Sequence, residues 1–201
     1  MLIKAVLSDI GGVLLTNGWG SQSRKEACSL FEIDEIDFGL RHATYYPLHE
    51  EGKLSLDDYL DRVVFYRHRP FSRQQFLEFI YSQSQLLPQM LEGMIQAKQL
   101  YGFRTLAVSN EGRELALYRA THFGLDRLFD GYLVSSSIAK RKPEPAFYQL
   151  ALDLVGCLPE EVVYIDDRPL FIEEAERIGL LAYHHSEALA TLQRLQGLFD
   201  Q

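Results

Sequence analysis

Cysteine and tryptophan are scarce in this chain, with two and one respectively in 201 residues, and no apolar run approaches the length of a membrane span. Cys28 and Cys157 are far apart and have none of the Cys/His spacing of a zinc cluster. A disulfide scaffold and a zinc site are therefore not expected, and both thiols read as reduced packing residues. Excess positive charge is also missing: 20 Lys and Arg stand against 28 Asp and Glu, a formal net charge of -8. That balance opposes non-specific attraction to nucleic acid and to anionic membranes. The apolar opening, Met1 to Leu7, meets Asp9 too early for a secretory segment. A cytoplasmic protein with neither nucleic acid nor membrane as partner is the expectation. Internal repeats and low-complexity stretches are lacking too.

What is present is the texture of a folded protein, 47% hydrophobic and 24% charged, long enough for one domain or one domain with a modest insertion. Leu2 to Ser8 reads as a buried strand running into Asp9-Ile10-Gly11-Gly12, where paired glycines permit a tight turn. From Ser21 to about Gln85 the pattern is helical and rich in aromatics, over Glu26 to Phe31, Phe38 to Leu48, Leu56 to Tyr66 and Gln74 to Tyr81. Ser55 with Asp58 predicts a capping box, and Ser72 an N-cap.

Pro88 then opens a helix to about Leu100, and Gly102 ends it. Strands at Arg104 to Val108, Tyr132 to Val134, Val162 to Ile165 and Leu181 to His184 alternate with helices at Arg113 to Phe123, Pro145 to Leu154, Phe171 to Ile178 and from about Glu187. This predicts an α/β fold, a doubly wound, mostly parallel sheet with an inserted helical cap. The core would comprise residues 1–15 and 88–201, and the cap residues 16–87. In such sheets the site lies beyond the carboxyl ends of the strands, where Asp9, Ser109, Asn110, Asp166 and Asp167 fall, with Lys142 between the last two segments. Each has a bland role alone, as turn former, helix cap or solvated charge, because short motifs are cheap. Their joint order is what carries weight.

Leu7-Ser8-Asp9-Ile10-Gly11-Gly12-Val13-Leu14, Val108-Ser109-Asn110, Arg141-Lys142-Pro143-Glu144-Pro145 and Tyr164-Ile165-Asp166-Asp167 together resemble the four motifs of the haloacid dehalogenase-like superfamily, in the expected order. The likeness spans Met1 to about His185, with the small cap between the first and second motifs. It implies a Rossmann-like core and a magnesium-dependent phosphatase in which Asp9 attacks the phosphoryl group to form an aspartyl-phosphate that water removes. The implied metal ligands are Asp9, the Gly11 carbonyl, Asp166 and Asp167, all hard oxygen donors suited to magnesium. Ser109, Asn110 and Lys142 are the implied phosphate-binding residues, with Asp9, Ser109 and Lys142 as the catalytic set. Lys142 would neutralise phosphoryl charge, while also serving as an ion-pair partner of the carboxylates.

One position departs from the pattern. Phosphatases of this superfamily commonly carry a second aspartate two residues after the nucleophile, as general acid and base, and here Gly11 occupies it. Its loss would cost on the order of 10²- to 10⁴-fold for a poor leaving group, and matters less for an activated one such as an anomeric sugar phosphate or an acyl phosphate. The first motif, Arg141 to Glu144 and His49 to Ser55 also resemble a bacterial branch that includes a glucose-1-phosphate phosphatase, which makes a sugar 1-phosphate one candidate substrate. His42, Tyr45, Tyr46 and His49 are cap candidates for contact beyond the phosphate, although aromatics at helical spacing read first as packing. Trp19, between Gly18 and Gly20, reads either as a flap at the pocket mouth or as an anchor of cap on core.

Three other functions compete. A dehalogenase releases halide without a proton, but adjacent acids at the fourth motif suit metal and phosphate instead. A metabolite sensor or interaction protein would explain Gly11, yet the nucleophile, Ser109, Lys142 and both late acids are intact. A phosphomutase or phosphotransferase needs proton management in both half-reactions, which Gly11 does not supply.

Overall fold

A computed structural model describes residues 2–199; Met1, Asp200 and Gln201, which the expected core included, fall outside the described residues. Five strands, β1 (Ala5–Ser8), β2 (Arg104–Ser109), β3 (Gly131–Val134), β4 (Val162–Asp166) and β5 (Leu181–His184), form one sheet in the order β3-β2-β1-β4-β5. Every pairing is parallel, so the sheet is the expected α/β core. Parallel strands need crossovers, and α5 (Pro88–Tyr101), α6 (Arg113–His122), α8 (Pro145–Val155), α9 (Pro169–Ile178) and α10 (Ala188–Phe199) accompany them.

Strand alternation divides the core between the two faces of the sheet. Val6, Ala107, Val163 and Ile165 pack with Met90, Leu91 and Met94 of α5 and Leu195 of α10. Ala5, Leu7, Leu106, Val108 and Tyr164 pack with Phe147, Tyr148 and Ala151 of α8 and Phe171 of α9. Strands covered on both faces become nearly continuous apolar runs, which is why β1 and β4 are buried along their whole length.

Four helices lie between β1 and α5: α1 (Ser21–Leu30), α2 (Glu35–Glu50), α3 (Leu56–Val63) and α4 (Arg73–Ser82). Ser55 closes the expected capping box with Asp58, and Ser72, expected as an N-cap, closes a second one with Gln75. Their apolar faces meet in a cluster around Trp19, Phe38, Tyr59, Leu60, Phe76 and Ile80. The segments that enter and leave this bundle are tied together: Thr16 donates through Oγ1 to the Gln83 carbonyl at 2.7 Å and accepts from the Gln85 amide at 2.9 Å. Besides two short 3-10 turns, Leu125–Arg127 and Pro159–Glu161, one α-helix is not anticipated from the sequence, the single turn α7 (Ser135–Ile138) after β3. It meets the end of α2 where Ser135 Oγ donates to the Glu50 carbonyl at 2.6 Å.

Candidate active site

The first, second and fourth motifs end β1, β2 and β4, and parallel register brings those ends to one edge. Asp9 immediately follows β1; its amide donates to the Ile165 carbonyl at 2.9 Å, and its Oδ1 accepts from the Ile10 amide at 2.8 Å. Lys142 is 1% exposed and spans this edge. Its Nζ lies 2.6 Å from Asp166 Oδ2, 2.9 Å from the Val108 carbonyl oxygen and 3.3 Å from Asp9 Oδ1. Burial alone would make this ammonium easier to deprotonate, but Asp166 and Asp9 outweigh it and its pKa is raised. Asp9 is pushed up to about 7, chiefly by desolvation, with Lys142 pulling it down and Asp166 pushing it up. A further cation beside it is what would restore an ionised nucleophile.

Asp9, Asp166 and Asp167 each offer a carboxylate oxygen, and these oxygens lie within 4.8 Å of one another. Asp167 Oδ1 is buried without a hydrogen-bond partner, while Oδ2 accepts from Asn17 Nδ2 at 3.0 Å. Orphaned carboxylate oxygens are costly, and an oxygen-only donor set with one lone pair unclaimed fits a hard divalent cation such as magnesium. Gly12 is what lets Asp167 approach. Its φ is +75°, and a Cβ there would fall 2.1 Å from Asp167 Oδ2.

Asp166 is fixed by Lys142, by the Tyr164 hydroxyl and by the Arg168 amide, which donates to Oδ1 at 2.9 Å. Ser109 and Asn110 close β2 beside the nucleophile. The Asn110 amide is engaged twice, donating to the Lys142 carbonyl at 2.8 Å and accepting from the Lys142 amide at 2.8 Å. Asn110 therefore holds the segment that carries Lys142.

A cavity of about 350 Å³ opens over this edge, lined by Asp9, Gly11, Ser109, Asn110 and Lys142 from the sheet side and by Trp19, Arg24, His42, Tyr46 and Glu50 from the helical bundle. Of the cap candidates, His42 and Tyr46 reach its wall. Tyr45 and His49 do not: Tyr45 packs under Arg62, and His49 Nδ1 pairs with the Leu54 carbonyl at 3.0 Å. Trp19 is wedged into the bundle, with Nε1 donating to Tyr59 Oη at 3.2 Å and its ring edge-on to Phe38 and Phe76. Its anchoring contacts are within the helical bundle.

The place of the missing aspartate is crowded. A Cβ on Gly11 would lie 3.3 Å from Asn17 Oδ1 and 3.5 Å from Arg119 Nη1. Arg119 is 2% exposed, pairs with Glu111 Oε2 at 2.5 Å and donates through Nε to Ser84 Oγ at 3.0 Å. Burial raises the Glu111 pKa against the pull of Arg119. Glu50 is lifted to about 7 by burial, opposed by Arg141 at 2.9 Å. Sequence reasoning assigned no role to Asn17, Arg24, Glu50, Glu111, Arg119 or Arg168. Glu111 adjoins the second motif and Glu50 lies within His49 to Ser55, but nothing local marks either as a cavity residue.

A three-layer α/β core with a carboxylate triad and a buried lysine at the sheet edge defines a hydrolase-type site, and the comparisons agree. Residues 3–179 match the haloacid dehalogenase-like hydrolase family, and the chain belongs to it. A sesquiterpene phosphatase of Aspergillus oryzae is 31% identical over 80 residues, 40% of this chain and 40% of that protein. A phosphorylated carbohydrates phosphatase of Thermotoga maritima is 33% identical over 75 residues, 37% of this chain and 34% of that protein. The chain thus covers well under half the length of these curated relatives. A haloacid dehalogenase family enzyme of Bacteroides thetaiotaomicron superposes with a TM-score of 0.84 at 19% identity, covering 96% of this chain and all of the other. Its complex with magnesium and inorganic phosphate superposes at 0.77 and 18%, covering 92% and 95%. An L-2-haloacid dehalogenase of Xanthobacter autotrophicus gives 0.63 at 16%, covering 98% and 84%. At these identities the likeness establishes a shared fold. No helix among the described residues is long and apolar enough to cross a membrane.

Proposed function

We propose that the protein is a magnesium-dependent phosphatase of small phosphomonoesters, with Asp9 as nucleophile and residues 16–87 as the cap that closes the site. The observation that carries this is the carboxylate cluster of Asp9, Asp166 and Asp167, in which Asp167 Oδ1 is buried and unpartnered, with Lys142 Nζ 3.3 Å from Asp9. Asp9, Asp166, Asp167 and the Gly11 carbonyl would hold the metal, which when bound offsets negative charge on nucleophile and phosphoryl group alike. An Asp9 oxygen attacks phosphorus, the ester oxygen leaves, and water later cleaves the resulting acyl phosphate. Lys142 offsets phosphoryl charge, Ser109 donates to a phosphoryl oxygen, and Asn110 fixes the Lys142 backbone.

Gly11 supplies no proton to the leaving oxygen, so activated leaving groups, an anomeric sugar phosphate among them, suit this site. The adjacent acids Asp166 and Asp167 favour phosphoryl transfer over dehalogenation, which needs no cation, and an intact nucleophile, lysine and acid pair favour turnover over sensing. The named phosphatases among the relatives support the same reading. Rapid quenching of enzyme mixed with magnesium and p-nitrophenyl phosphate tests it. A phosphorylated peptide containing Asp9 is expected by mass spectrometry, and its absence during measurable turnover would rule out the covalent route.

A further inference from the structure

Not every charge on the cavity wall is held in an ion pair. Three carboxylates line the cavity, and each has a cation at ion-pair distance: Asp9 has Lys142, which it shares with Asp166, Glu50 has Arg141, and Glu111 has Arg119. Two cavity-lining arginines are left over. Arg24, on α1, donates through Nη1 to the Trp19 carbonyl at 2.7 Å and forms no ion pair among the described residues. Arg168, just before α9, has its guanidinium 5.4 Å from the Phe171 ring; its charge is felt by Glu50 and Glu111, but it likewise forms no ion pair among the described residues.

A lone surface arginine without a partner is ordinary. Two that converge on one cavity from different parts of the fold, in a chain of net charge -8, place two guanidinium groups outside any ion pair on one wall. Such a site attracts anions despite the net charge of the protein. The charge of a transferred phosphoryl group would be offset by Lys142 and by the cation that the carboxylate cluster would hold. The guanidinium fork matches a planar carboxylate or a phosphoryl group with two parallel hydrogen bonds.

Building on the phosphatase reading, we propose that the substrate carries a second anionic group on its leaving side, a carboxylate or another phosphoryl group, bound by Arg24 and Arg168. This selects among phosphomonoesters: a neutral sugar phosphate or an apolar terpenoid phosphate leaves both arginines unanswered, and a leaving group that carries its own anion does not.

The test compares matched substrates on the magnesium-loaded enzyme. Measured as kcat/KM, 3-phosphoglycerate is set against glycerol 3-phosphate for the carboxylate, and glucose 1,6-bisphosphate against glucose 1-phosphate for the phosphoryl group, with p-nitrophenyl phosphate as the reference. A preference of about tenfold or more for the charged member of one pair is expected, the effect of one charge-assisted hydrogen bond. It should shrink at high salt and collapse in Arg24→Gln and Arg168→Gln. Arg168 is exposed, so its variant keeps the test readable if Arg24→Gln loosens the Trp19 segment. Which pair shows the preference identifies the anion. Turnover of p-nitrophenyl phosphate with no preference in either pair overturns this proposal alone. So do variants that slow charged and neutral members equally, which would place the arginines on the transferred phosphoryl group. No release from any substrate overturns the phosphatase reading itself.

Discussion

Replacing Gly11 by Asp puts a proton-carrying side chain back where the site lacks one. Gly11 does not have a positive φ, so an L residue is not strained there, and the added Cβ would meet Asn17 Oδ1 at 3.3 Å, Arg119 Nη1 at 3.5 Å and Asn17 Cα at 3.7 Å. Asn17 is exposed and can give way. The new carboxyl group would lie beside the Arg119 guanidinium, and a cation at that distance lowers its pKa. A lowered pKa leaves less of the group protonated near neutral pH than an isolated aspartate, so the gain belongs at the low end of general acid catalysis, about 10²-fold in place of 10⁴-fold. The gain should also depend on the leaving group. For glycerol 3-phosphate, kcat/KM should rise about 10²-fold, whereas p-nitrophenyl phosphate, whose leaving group needs no proton, should change less than about threefold. The assay is magnesium-dependent phosphate release, with Gly11→Asn as a control that adds the bulk without the acid. An equal rise for both substrates, or the same rise in Gly11→Asn, would refute the reasoning.

Other perturbations read other parts of the site. Lys142→Met removes the cation between Asp9 and Asp166 and should lower stability by about 3 kcal/mol at pH 8. The loss should be smaller at pH 6, because Asp9, already lifted to about 7, then neutralises itself by taking a proton; urea unfolding at the two pH values checks this. Gly12→Ala forces a Cβ into the left-handed region and onto Asp167; a stability loss of about 1–2 kcal/mol and weaker magnesium binding by calorimetry are expected. Burial holds the His42 pKa down at about 3, against an ordinary value of 6.5. The unfolded chain therefore binds the extra proton first, and the stability from neutral His42 is complete above pH 6.5 and lost progressively towards pH 3. His42→Phe should flatten the acid side of the stability profile, by on the order of 1 kcal/mol between pH 6.5 and 5.

The core was legible because its signals are local. β5 is found at Leu181–His184 as its apolar run implies, Pro88 opens α5, and Ser55 and Ser72 cap the helices they precede. The first strand is shorter than its apolar run, Ala5–Ser8 in place of Leu2 to Ser8, because hydrophobicity marks burial and not ladder pairing. The one-turn α7 carries no periodicity to detect. The first, second and fourth motifs converge because parallel register fixes the ends of β1, β2 and β4, which is why Asp9, Ser109, Asn110, Asp166 and Asp167 could be grouped from the sequence, whereas Lys142 is brought in by a loop that Asn110 holds.

What the sequence did not disclose is pairing across long separations. Glu50 meets Arg141 across the seam between bundle and sheet, and Arg119 reaches back to the Gly11 and Gly18 turn from α6. Neither pair has a spacing rule. Asn110 shows the same limit at one residue: its motif implied phosphate binding, while its amide is occupied by the backbone of Lys142, 32 positions away. Trp19, read as flap or anchor from its flanking glycines, is settled among aromatics that come from α2, α3 and α4.

The central claim is that Asp9 with a magnesium-fitting carboxylate cluster hydrolyses phosphomonoesters. Phosphate release from glucose 1-phosphate, glucose 6-phosphate, acetyl phosphate and p-nitrophenyl phosphate, with and without magnesium, tests it most directly. Magnesium-dependent release that is abolished in Asp9→Asn is expected. Release that persists in Asp9→Asn, or that is indifferent to magnesium and to its removal by chelator, would contradict it.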